Sequence, residues 1–278
     1  MIQNESTIAN QITTGAINYA PLTGPDADRF GGDGFTTVTS PIINFMLVFN
    51  ERPGRPTADV EVRRAIAQAI DVAAFNDAAA RGKGEPMTSI APATAPCVST
   101  DPALLVPADP QAAASVLSGM TLKLVGTNAV AGGAGNAYVQ AALQQAGAQV
   151  ELKNTDNATW ASDVMGNQGD WDVTVFPHLN LTNTVTAAAT LFAGPAAPNG
   201  RNVGGVENPE FAAAMATALA TPDGPAKCDA WAQAQRALLE RVDAVPLTSA
   251  VVTYVFDERA TAASPGQFVD IATLAIPN

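Results

Sequence analysis

The 278-residue chain holds one histidine, two cysteines, three tryptophans and three tyrosines, and each shortage excludes a chemistry. The single histidine, His178, cannot build a histidine cluster. Cys97 and Cys228 lie too far apart for a C-x-x-C metal or redox site, so neither a dedicated transition-metal site nor a cofactor is expected. The patterns H-E-x-x-H and G-x-S-x-G do not occur, which removes two common hydrolase signatures. Basic residues are few: 14 Lys and Arg stand against 26 Asp and Glu, a net charge of −12. Such a surface repels phosphate backbones and anionic membranes, so no nucleic-acid partner is expected. Apolar runs are too short to span a membrane. The opening MIQNESTIANQITTG has neither a basic n-region nor an apolar h-region, so no signal peptide is expected in it. The two cysteines are either small buried hydrophobes or one long-range disulfide, and composition does not decide between them.

What is present is a core. Hydrophobic residues make up 47% and charged residues 14%, and a chain of this length buries roughly 75% of its unfolded surface. The patterns predict a helix over 5–15 and a strand over 16–20, then a helix near 24–30 and strands over 35–39 and 43–50. A loop-rich stretch, GKGEPMTSIAPATAPCVST, precedes a short helix over 109–119 capped by Asp109. The middle alternates strand (121–126), helix (136–147), strand (148–154), helix (157–167) and strand (171–176). Short connections between such elements imply right-handed crossovers and a parallel sheet. Helices over 208–220 and 227–242 follow, with Cys228, Trp231, Leu238 and Val242 on one face of the second, and strands close the chain.

The stretch DVEVRRAIAQAID (59–71) sets Val62, Ala65, Ile66, Ala69 and Ile70 on one helical stripe, with Asp59 as N-cap and Glu61 favoured by the helix dipole. Preceded by LVFNERPGRPTA, its order of charges resembles the signature of the family-5 extracellular solute-binding proteins that serve ABC importers. Further segments match in order: GKGEPMTSIAPATAP, GDWDVTVF, GRNVGGVENPEFAAAMATALATPD, AQAQRALLERVDAVPL and STIANQITTGAINYAPL. Two positions depart from the pattern, Glu61 where the family carries Arg and Asn18 where it often carries Asp. The resemblance implies an α/β, periplasmic-binding-protein-like (type II) lobe with a mainly parallel sheet flanked by helices. It covers the C-terminal portion of the family: residues 41–245 as the second lobe, with 1–40 and 246–278 as remnants of the first lobe near the hinge. It also implies a monomer outside the cytoplasm that hands a peptide or other neutral small molecule to a permease without catalysis. In that compartment Cys97 and Cys228 are expected to pair.

In an open parallel sheet the ligand sits outside the carboxyl ends of the strands. Two loops leave such ends: TNAVAGGAGN (127–136), Gly-rich and opening a helix, and PHLNLTNT (177–184), dense in neutral hydrogen-bonding groups. The expected ligand-binding residues are Asn128, Gly132, Gly133, Asn136, His178, Asn180, Thr182 and Asn183. No acidic residue follows a second strand as a dinucleotide fingerprint requires. Dipeptide carriers of the family place an Arg in the first loop and an Asp in the second; neither loop is charged here, which favours a neutral or longer ligand. The competing readings are an α/β hydrolase or transferase using His178, and a ligand-sensing module without transport.

Overall fold

Residues 42–49, IINFMLVF, are buried without interruption and form the spine of the computed structural model, which describes residues 5–263 and 269–276. They belong to β2 (Phe35–Phe49), one continuous strand where the sequence suggests two. Pro41 is tolerated inside it because the ladder to the neighbouring β7 (Ala244–Asp257) is irregular between Ser40 and Ile43. On its other side β2 pairs antiparallel with β6 (Val173–Leu179). Next come β4 (Thr121–Thr127) and β5 (Gln149–Thr155), which run parallel to each other and to β6. Two short strands, β1 (Tyr19–Leu22) and β3 (Glu85–Pro86), add antiparallel to β7, giving the order β1-β7-β2-β6-β4-β5 with β3 off that path.

The α/β class holds, but the expected mainly parallel sheet is corrected to a mixed one. Parallel pairing is confined to β6, β4 and β5, the strands joined by helical crossovers. The partners of β2 are distant in sequence, so no βαβ unit dictates their direction. The crossovers also explain the layering. From β4 the chain passes through α5 (Ala134–Gln145) to β5 on one side. From β5 it returns past β4 through α6 (Asn157–Trp160) to β6 on the other. Right-handed connections running in opposite directions put their helices on opposite faces. Accordingly α5 packs with α2 (Val60–Gln68), α3 (Val72–Ala80) and α4 (Pro110–Leu117) against Phe45, Leu47, Val173 and Val175. The opposite face, with Met46, Val48 and Phe176, is covered by α6, α7 (Val185–Ala189), α8 (Pro209–Ala220) and α9 (Pro225–Glu240).

Three local features depart from the sequence reading. The helix expected over 59–71 stops at Gln68, because Asp71 accepts the Ala73 and Ala74 N–H groups and starts α3. The helix expected over 157–167 is α-helical only to Trp160 and widens into a π-turn over Ala161–Met165. Val242 adopts a left-handed φ of 54° beyond the end of α9. A separate small core joins α1 (Glu5–Thr13) and β1 to Phe30 and Val255. A further two-stranded sheet pairs β8 (Thr261–Ala263) with β9 (Asp270–Ala275). Cys97 and Cys228 form a disulfide that ties the strap of residues 88–99 to α9. Gln235 of α9 reinforces it: its Oε1 accepts from Ser89 Oγ and the Ser99 N–H, and its Nε2 donates to the Cys97 carbonyl.

Candidate functional site

The neighbours β4 and β6 are registered only at Leu124 and Val173, and their outgoing connections lead to different faces of the sheet. A crevice therefore opens beyond their carboxyl ends, the position where open α/β sheets take ligands. On the α5 side lies a shallow depression, too small to enclose a ligand by itself, lined by Phe45, Thr127, Gly133, Asn136, Val175 and Pro177. Gly132 and Gly133 turn the chain into α5 with φ of 62° and 80°. A Cβ on Gly133 would stand 2.2 Å from Asn154 Nδ2, so glycine is required there twice over. Buried Asn136 ties the loop to both strands, its Nδ2 donating to the Thr127 carbonyl (2.9 Å) and to Asn154 Oδ1 (3.0 Å). Asn128 is exposed, and its N–H donates to the Thr155 carbonyl.

The second loop is closed from within. The Asn180 N–H donates to the Ile42 carbonyl, and its side chain bonds both the N–H and the carbonyl of Thr184. Asn183, at a φ of 49°, meets Thr94 of the strap in two hydrogen bonds of 3.2 Å. Thr182 and Thr184 share a hydroxyl contact of 3.0 Å. Between these polar groups Leu179 and Leu181 are 53% and 60% exposed.

The eight expected residues thus share one edge of the sheet but not one pocket. Pro177 faces the α5 side with Val173 and Val175, whereas His178 follows Thr174 and Phe176 to the other face. There it is the registered partner of Asn44 on β2, which is itself paired with Ser249 of β7. Asn44 is fully buried and neither atom of its amide has a partner among the described residues; the same is true of His178 Nε2. Burial, with the nearby charge of Arg201, pushes the His178 imidazole down to about 4, so the ring is neutral at physiological pH. Asn44 and Thr94 escape the sequence reading. The signal for Asn44 was there: it is the one polar residue in IINFMLVF.

The charged residues of the sequence motifs lie at the opposite, amino edge, where they hold the fold. Arg63 of α2 is 1% exposed. It donates to the carbonyls of Thr57, Ala58, Arg241 and Val242 and to Asp243 Oδ1, with Glu51 at 3.3 Å. Asn208 completes this cluster by donating to Asp243 Oδ2 (2.7 Å). In GDWDVTVF, Asp170 pairs with Arg55 and Lys123, while Asp172 accepts the Lys123 N–H (2.8 Å) in place of a ladder bond. Among the described residues no three metal-ligating side chains gather, and no helix is long and apolar enough to cross a membrane.

Residues 1–199 match the family described as bacterial extracellular solute-binding proteins, family 5 Middle. No curated protein matches the chain. Among solved structures, the chain is similar to a substrate-binding protein from Microbacterium hydrocarbonoxydans complexed with 4-hydroxybenzoate hydrazide. The identity is 34% and the TM-score 0.89, over 99% of this chain and 58% of that one. It is similar in fold to AgaA of A. tumefaciens R10 in complex with agropinic acid (21% identity, TM-score 0.86, 100% and 60% covered). The same holds for the dipeptide binding protein of Pseudoalteromonas sp. SM9913 in complex with Met-Leu (18%, 0.83, 100% and 57%). These neighbours have the type II periplasmic-binding-protein fold expected from the sequence. The chain spans less than two thirds of the length of each.

Proposed function

We propose that this chain, which belongs to the bacterial extracellular solute-binding proteins of family 5, serves as a substrate-binding wall of an ABC importer, holding an uncharged small solute at the carboxyl edge of its sheet. The observation that carries the reading is the contrast between the two edges. Paired charges clamp the amino edge, while the loops after β4 and β6 offer only amides, hydroxyls and exposed leucines. A zwitterionic dipeptide such as the Met-Leu of the Pseudoalteromonas protein calls for charged partners that these loops lack. A neutral hydrazide or amide, like the ligand of the Microbacterium protein, asks only for hydrogen bonds and apolar contact.

In this reading residues 41–245 form one self-contained lobe around the two faces of the main sheet. Residues 1–40 and 246–278 are assigned to the other lobe; among the described residues the separate core around Phe30 and Val255 supports this, while Leu247 and Ala250 at the start of β7 pack in the main core. A facing wall closes over Leu179 and Leu181, and the assembly works as a monomer outside the cytoplasm that delivers solute to a permease. This reading assigns the chain no catalytic step, and both cysteines are bonded to each other.

One wall supplies only part of the contacts. Halving a micromolar complex of about −8 kcal/mol leaves a dissociation constant near the millimolar range. Calorimetry against amides, acyl hydrazides, dipeptides and oligosaccharides is expected to give millimolar binding of neutral members by this chain, tightening by orders of magnitude when a complementary first lobe is joined to it. Turnover of any member, abolished by His178→Ala, would overturn the reading in favour of an enzyme.

A further inference from the structure

We infer that Asn44 and His178 form one uncharged subsite at the foot of the cleft, built for a group that both donates and accepts hydrogen bonds: a carboxamide or an acyl hydrazide. The inference rests on the solute-binding reading above and names the group that this site would select.

Position comes first. On the face covered by α8 and α9, Met46 and Phe176 are the last apolar residues of β2 and β6 before the carboxyl edge. Two residues further on, on the same face, stand Asn44 and His178. Beyond them β2 leaves the lobe to pair with the outer half of β7. The pair therefore sits where the main core ends and the strands to the other lobe begin. The strap of residues 88–99 covers this face, with Ile90, Ala91 and Ala95 packed in the same core as Met46 and Phe176. Its middle is held to the edge loop by the exposed Thr94–Asn183 pair.

Bonding is the second observation. Buried polar side chains are as a rule hydrogen-bonded, and the other buried asparagines of this edge obey the rule: Asn136 and Asn180 are tied to backbone or side-chain partners. Asn44 breaks it at both atoms, and His178 breaks it at Nε2. A leucine of nearly the same shape would fill the Asn44 position without an unmet polar group. An unmet amide at this position costs stability unless a partner satisfies it, and a bound ligand is the partner assigned to it.

The chemistry selects the class. The Asn44 amide offers an N–H donor beside a carbonyl acceptor, which a carboxamide matches with two antiparallel hydrogen bonds, and the neutral His178 ring nitrogen adds a third contact. A carboxylate would set its lone pairs against Asn44 Oδ1, and an ammonium would set its protons against Asn44 Nδ2. Arg201 is the charge felt at the ring, and it is exposed.

The test compares benzamide, benzoate and benzylamine, which share a ring and differ in the head group, by NMR titration of the full chain. Benzamide is expected to shift the Asn44 side-chain amide and the His178 ring, and to saturate at a concentration at least about tenfold lower than the other two. Asn44→Leu is expected to keep or raise the melting temperature while erasing that preference. A large fall in melting temperature would show Asn44 to be a structural residue and overturn the subsite. Benzamide shifts confined to 127–136 or 179–184 would overturn the subsite and leave the solute-binding reading standing. No shift at any edge residue with these probes or with acyl hydrazides would overturn both.

Discussion

Replacing Arg63 by methionine keeps most of the side chain's apolar volume and removes its guanidinium from the amino-edge cluster. Five hydrogen bonds go with it, four to backbone carbonyls and one to Asp243. Asp243 retains Asn208 Nδ2 and the half-exposed Arg241 at 3.5 Å, so its charge is weakened in support rather than abandoned. Breaking a buried ion pair by removing one partner typically destabilises by about 3–5 kcal/mol. The methionine's packing offsets little of this, because the four carbonyls are left to share whatever donors remain. We expect a loss of about 4 kcal/mol, a large fraction of the roughly 5–15 kcal/mol that holds a domain together. For a chain of this size that lowers the melting temperature by about 8–16 °C. Trp160, Trp171 and Trp231 are all buried and report unfolding by fluorescence in a urea titration. Arg64→Met is the control: among the described residues its side chain bonds the Glu240 carbonyl at the surface, and its substitution should change stability by less than about 1 kcal/mol. In the Arg63→Met background Asp243→Asn should recover part of the loss. If Arg63→Met stays within 1 kcal/mol of the parent, or matches Arg64→Met, the clamp does not carry the energy assigned to it.

Two further perturbations probe the same physics. The Glu51 carboxyl is pushed from its ordinary 4.5 up to about 8, first by burial and then by Asp243, against the pull of Arg63 and Arg241. The folded chain thus keeps a proton that the unfolded chain releases, so this contribution is whole below about pH 4.5 and is lost as pH rises through 8. Glu51→Gln should flatten that decline, and the difference between the two melting profiles is the readout. His178, pushed down to about 4, tilts both profiles the other way between 6.5 and 4; a difference independent of pH would refute the assignment to Glu51. Reduction of Cys97–Cys228, separated by 131 residues, should destabilise by about 5 kcal/mol in the chain-entropy treatment. It should also loosen the strap that brings Thr94 to Asn183, seen as faster amide exchange in residues 88–99; an unchanged urea midpoint after reduction would contradict this.

Residues close together in the chain were enough to determine the local order of this protein. Capping by Asp59 and Asp109, the apolar stripe of α2 and the alternation around β4, α5 and β5 follow from interactions within a few residues, and they fall where the patterns put them. The edge of the sheet that carries the neutral polar loops was legible for the same reason, since right-handed crossovers leave little choice of which strand ends meet. Other features depend on partners more than eighty residues away. Arg63 reads as one of two charges on an amphipathic helix, and only the approach of Val242 and Asp243 makes it a buried clamp. Asn183 and Thr94 mean nothing to each other until the disulfide brings the strap over α9. The sequence reading puts His178 and Asn136 in neighbouring loops, whereas they lie in β6 and α5, and the two-residue pleat of β6 sends His178 to the face opposite Pro177 and beside Asn44. Periodicity says which residues share a face, but which faces meet is decided by the closing of long loops around a common core, and that is a property of the whole chain.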